Sequence, residues 1–171
     1  MLIRPELIEA VAETLEGLAI TAPKATSQGA IGEGSAVRSE ASILLFHPRE
    51  RGESKPTAET PLLEINFFET DERAMIIVHS ALGMVEMHDI EEVRILDATR
   101  EVAIFSRVQA MGKIDMLTIS AQGVLQVYSN IARELEGRDL ESLPEEDLRA
   151  AVALKVFTGG AKVFTSTETA A

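Results

Sequence analysis

The sequence predicts an α+β fold. An N-terminal helix over 1–20 and two C-terminal helices over 121–160 are expected to cover one face of a curved antiparallel sheet of six to seven strands over 41–120. Three observations lead to this. Apolar residues recur at helical spacing before residue 20, switch to a period of two from residue 41, and return to helical spacing after residue 120. The period-two runs are joined by turns too short to hold crossover helices, so the strands should be antiparallel neighbours. The whole chain, 171 residues with 46% hydrophobic side chains, fits one domain with a packed core over 1–171.

The first helix begins at Pro5, a residue suited to a first turn, and Glu6 and Glu9 favour the positive end of its dipole. Leu7, Ile8, Val11, Leu15 and Leu18 form its apolar stripe. Residues 21–40 are rich in glycine, serine and small side chains and read as a flexible loop. Seven strands follow, over 42–47, 62–69, 75–80, 84–89, 92–96, 102–108 and 114–120. Ser120 is placed to cap a helix that runs to Glu136, with Val124, Leu125, Val127, Tyr128, Ile131, Ala132 and Leu135 on one broad apolar face. Ser142 and Glu145 have capping-box spacing around Pro144, and the last helix carries Leu148, Ala151, Val152 and Val156 before Gly159-Gly160 stops it. Residues 162–166 read as an edge strand and the remainder, within 161–171, as a tail.

Composition excludes several activities. With no cysteine the chain has no disulfide framework, thiolate nucleophile or thiolate-ligated metal. A formal charge of −12 opposes phosphate backbones and anionic lipid, so neither nucleic acid nor a membrane is an expected partner. Acids at Glu6, Glu9, Glu13 and Glu16 break the apolar run that a secretory signal needs, and no apolar run approaches the ~20 residues of a membrane span. A soluble, cytoplasmic protein is expected.

The motif search names no enzyme. Gly29, Gly32 and Gly34 follow the pattern GxxGxG, which differs from the dinucleotide fingerprint, and Glu33 would repel a phosphate. Gly112-Lys113 lacks the first glycine and the following hydroxyl of a phosphate loop. There is no GxSxG elbow, and Ser80 points to the opposite strand face from His79. His47, Arg49, Arg51 and Lys55 are diluted by Glu50 and Glu53.

One constellation carries possible metal chemistry. A turn at Leu82-Gly83 would pair Ala81 with Met84 and His79 with Glu86, with His88 further along the same face. Two imidazoles and a carboxylate form a ligand set for a divalent metal, with an acid–base pair as the other use. The ordinary reading of the same pattern is a solvent-facing polar strip, and a one-residue slip breaks the cluster. No cofactor is expected on that ordinary reading; a divalent metal is the alternative.

Two features favour protein contact. Met75, Met84, Met87, Met111 and Met116 concentrate flexible, polarisable side chains in the sheet. Residues 131–147 carry a net charge of −5, which suits a basic partner as well as simple solvation. The 75–89 hairpin also carries apolar residues on both faces, and one-sided helices cover only one. The sequence reading is therefore a non-enzymatic protein-interaction module, an adaptor, assembly factor or structural subunit, acting as an acidic homodimer. The alternative is a small-molecule or metal-binding protein, possibly catalytic, centred on His79, Glu86 and His88.

Overall fold

The computed structural model describes residues 2–15, 24–26, 29–31, 35–37, 39–45, 62–81, 83–107 and 112–165. Its helices and strands make an α+β fold with antiparallel sheets. Helix α1 spans Pro5–Thr14, with the proline in its first turn, and Leu7, Ile8, Val11 and Thr14 are buried. The short strands β1 (Lys24–Thr26), β2 (Gly29–Ile31) and β3 (Ser35–Val37) precede β4 (Ser39–Leu45). Then come β5 (Leu63–Glu69), β6 (Ala74–Ser80), β7 (Gly83–Met87), β8 (Ile90–Leu96), β9 (Glu101–Arg107), β10 (Lys113–Ser120) and β11 (Leu125–Ala132). Two 3-10 turns, Arg133–Gly137 and Leu140–Ser142, lead to helix α2 (Glu145–Val156) and strand β12 (Lys162–Thr165).

The strands form two five-stranded sheets rather than one curved sheet. The first has the order β1-β4-β5-β6-β7 and the second β11-β10-β9-β8-β12; β2 and β3 pair separately. The chain changes sheet between β7 and β8, over His88 and Asp89, where Asp89 takes a left-handed conformation with φ 51°. Periodicity identifies strands but not which sheet a strand joins, so the split left no mark in the pattern. The inner faces share one core with α1: Ile43, Ile65, Phe67, Ile76 and Val78 from the first sheet, Val93, Ile95, Val102, Ile104, Leu117 and Ile119 from the second, and Leu7, Ile8 and Val11 from the helix. The cover expected from helices is thus supplied, for the 75–89 hairpin, mainly by another sheet.

A second core lies on the outer face of the second sheet. Ala103 and Phe105 of β9, Met116 of β10, and Ile131 and Leu135 pack against Ala151 and Leu154 of α2 and Phe157 just after it. Strand β9 is therefore buried on both faces, with Val102 and Ile104 in one core and Ala103 and Phe105 in the other.

The helix expected over 120–136 is strand β11. Ser120 does bind backbone N–H groups, since its Oγ accepts from Gln122 N at 3.3 Å and Val124 N at 3.1 Å. The same chemistry that caps a helix here closes a hairpin turn, completed by Gly123 at φ 85°. Val127, Tyr128 and Ile131 are β-branched or aromatic and suit a pleated surface. Leu125 and Tyr128, expected side by side on one helical face, lie on opposite faces of the sheet and pack against different cores. One C-terminal α-helix remains of the two expected.

The stretch 21–40, expected as a flexible loop, contributes strand residues. Lys24–Thr26 pair with Ser42–Glu40, and Gly29–Ile31 with Val37–Ser35. Backbone pairing needs no large apolar side chain, so residue composition concealed it. Gly32 and Gly34 of the glycine pattern, and the basic residues His47, Arg49, Arg51 and Lys55, lie outside the described residues.

A buried carboxylate anchors the start of α1. Glu69, 5% exposed at the end of β5, accepts hydrogen bonds from Leu2 N at 2.7 Å and Ile3 N at 3.3 Å. Hydrogen bonds to a charged group contribute about 1.5–3 kcal/mol each. Glu69→Ala should therefore lower unfolding stability by roughly 2 kcal/mol or more, read from the urea midpoint, with Glu69→Gln in between. A loss of under ~0.5 kcal/mol, as at an ordinary surface position, would contradict the anchoring role.

Candidate interaction surface

The outer face of the second sheet is organised by Arg94. On β8, Val93 and Ile95 point to the inner core, so Arg94 must point outwards, opposite Ala103 of β9. Its side chain is only 13% exposed. The guanidinium stacks on Phe105, 4.6 Å from the ring centroid, and donates to Glu92 at 3.1 Å and to Glu136 in the first 3-10 turn. It also reaches the Phe157 carbonyl at 3.5 Å, and Thr158 Oγ1 donates to Glu136 at 3.3 Å. One side chain thus ties β8 to both ends of the segment that crosses the sheet.

A parallel arrangement holds Glu91. Arg107 Nε donates to it at 2.9 Å and Arg133 donates from the start of the 3-10 turn. Burial alone would push the Glu91 carboxyl up, but the hydrogen bonds from Arg133 and Arg107 outweigh it and hold the carboxyl below its ordinary value. The Glu136 carboxyl is held low chiefly by the hydrogen bond from Arg94, against a smaller opposing effect of burial.

Helix α2 lies over this platform with a second apolar side turned outwards. Ala151 and Leu154 are buried against the sheet. Leu148 (36% exposed), Val152 (44%) and Val156 (40%) recur at intervals of four and form a stripe along the flank that is left uncovered. Of the four apolar residues that the sequence reading names on this helix, only Ala151 is in the core. Ala150, Ala151, Ala153, Leu154 and Phe157 supply the face that packs.

Beside α2 runs an open groove of about 560 Å³. Its floor is the end of the outer sheet face, Glu101, Thr118, Gln126 and Tyr128, and its wall is the exposed flank of α2. Arg149 of α2 stands over the Tyr128 ring at 5.6 Å, and Tyr128 donates its hydroxyl proton to Gln126 at 3.0 Å. Both contacts fix the floor without filling the space above it. A polar cleft of about 570 Å³ lies elsewhere, lined by Glu72, Arg73, Asp89, Glu91, Glu92, Arg107 and Thr165 among others.

The hairpin residues are arranged differently from the expectation. Ser80 pairs with Gly83, so His79 lies opposite Met84 and Glu86 opposite Ile77. His79 and Glu86 keep the same face but sit on a diagonal. The expected pairing of His79 with Glu86 is corrected by this register, which the turn sets. Glu86 and His88 do meet, with Oε2 and Nε2 3.2 Å apart at an exposed position. Among the described residues no group of three or more histidine, cysteine, aspartate or glutamate side chains is arranged to hold a metal ion. Met84 is 55% exposed on the outer face, Met87 and Met116 are buried in the cores, and Met111 lies outside the described residues. Of the acidic segment 131–147, Glu136 is committed to Arg94, whereas Glu134, Glu141, Glu145 and Glu146 are exposed.

No family model matches the chain, and no curated protein or solved structure matches it either. No helix among the described residues is long and apolar enough to cross a membrane.

The low-lying Glu136 carboxyl fixes a pH dependence. Its folded pKa lies below the unfolded value near ~4.3, so its contribution is complete above that value and is lost as pH falls through the folded pKa. Glu136→Gln should lower stability at neutral pH and flatten the decline in thermal midpoint below about pH 4. Acid limbs of equal slope for the two proteins would contradict the assignment.

Proposed function

We propose that the protein is a protein-interaction module, an adaptor, assembly factor or structural subunit, that binds through the outward side of α2. The observation that carries this reading is the stripe Leu148, Val152 and Val156. Fully burying such a side chain is worth about 1.5–3 kcal/mol, and these three keep 36–44% of their surface in water, so burying the rest would contribute on the order of 1 kcal/mol each. An i, i+4, i+8 row beside a groove is the geometry by which helices dock into apolar surfaces. The exposed acids that precede α2 would give the surface an electrostatic rim, which sets orientation and association rate more than affinity.

The platform beneath supports the same reading. A docking helix must be rigid to keep its ordering cost low on association. Here Ala151, Leu154 and Phe157 fix one side of α2 in the core, and Arg94 holds the carbonyl of Phe157 at its end. The surface is presented ready-made.

A photo-activatable phenylalanine at position 152 tests this reading in cells that express the full chain. Irradiation should give discrete cross-linked protein species, while the same group at exposed Glu72, remote from α2, should give few. Val156→Asp should suppress the position-152 cross-links without changing the thermal midpoint by more than a few degrees. Equal cross-linking from positions 152 and 72, or none from 152, would remove the basis for the interaction role.

A further inference from the structure

The stripe and the groove belong to one face of one molecule, and each supplies what the other lacks. A five-stranded sheet is about 20 Å wide, whereas a single helix is about 10 Å across. α2 therefore leaves part of the outer face open, and the open part is the groove over Glu101, Thr118, Gln126 and Tyr128. At the same time Leu148, Val152 and Val156 form the α2 wall of that groove and remain exposed along it. A helix-sized gap and an exposed helix side lie next to each other.

Resting on the interaction reading above, we propose that the occupant is a second copy of this chain, related by a two-fold axis, so that the stripe of each α2 lies in the groove of the other. The charges on α2 are suited to this arrangement. Glu145, Glu146 and Asp147 lie in its first turn and Lys155 in its last. A two-fold axis across the helices runs them antiparallel and brings the acidic end of each to the Lys155 end of the other, twice in one interface. Running the helices parallel would set like charges together. The groove itself carries Arg149 beside Glu101 and Glu145, a nearly balanced set that gives an unrelated basic peptide little advantage. Self-pairing satisfies the stripe, the groove and the end charges together.

Sedimentation equilibrium of the purified full chain tests the proposal. The wild type should be a dimer at micromolar concentration. Val152→Asp should raise the dimer dissociation constant at least about tenfold, with the circular dichroism spectrum unchanged. Glu145→Lys and Lys155→Glu should each weaken the dimer, and the double variant should restore it, because both contacts are rebuilt with reversed sign. A wild type that stays monomeric to about 100 µM overturns self-pairing, and so does a dimer indifferent to Val152→Asp or not restored by the double reversal. If the chain is monomeric yet position 152 cross-links to a different protein, the self-pairing falls and the interaction role stands. If the chain is monomeric and position 152 captures nothing, both fall.

Discussion

The outer face of the second sheet depends on where one guanidinium is put. Arg94 is a cation in a largely buried position, and removing its water is costly unless the geometry returns the loss. Three partners offset much of that loss, while Nε stays buried without a hydrogen-bond partner. Phe105 offers its ring face, Glu92 a carboxylate from the same strand, and Glu136 a carboxylate from the crossing segment. A lysine would offer a point charge with no plane to stack and no fork to share between two carboxylates. The arrangement binds places distant in sequence, because Glu136 and Phe157 flank the segment that contains α2. If Arg94 is satisfied, α2 has one position over the sheet, and the stripe and groove follow from that position.

The second constraint is that β9 serves two cores. Its side chains alternate between the space shared with α1 and the first sheet and the space under α2. A strand covered on both sides carries no polar alternation, and Val102 through Phe105 are apolar without interruption. Phe105, which packs the α2 side of this strand, is also the ring under Arg94. Packing and polar fixation of the outer layer therefore meet on one residue.

This explains which parts of the architecture were legible in the sequence. Strands β4 to β10 and β12 announce themselves through short alternating or, as in β9, continuous apolar runs bounded by turns, and α1 through Pro5 and its single apolar stripe. The pattern does not say which strands share a sheet, since a strand pairs through backbone groups that every residue carries. The segment after Ser120 was misread because its apolar residues fit a helical wheel, and because a serine oxygen serves an N-cap and a tight turn equally well. The interaction surface was only partly legible: Leu148, Ala151, Val152 and Val156 were read as the apolar residues of the last helix, but a helix with two apolar sides does not declare which of them faces inwards. Arg94 has a partner in Glu92 on its own strand, but Glu136 and Phe157 lie 42 and 63 residues away along the chain, and only the fold brings them to it. Of His79, Glu86 and His88, the last two meet, while the strand register places His79 opposite Met84 rather than Glu86.

The order of the second sheet has a consequence for how the chain is assembled. Each neighbouring pair in it is antiparallel, so β11 and β12, at its two edges, run in the same direction. Everything from β8 to β11 can form by successive local hairpins. β12 cannot, because Val163 pairs with Arg94 across almost seventy intervening positions, and the chain must first be carried from one border of the sheet to the other. That long closure is entropically unfavourable until the intervening segment has been laid down. Strand β12 thus has the character of a latch: seating the helix layer first shortens the closure it must make, and its Val163 sits directly opposite the arginine that holds that layer.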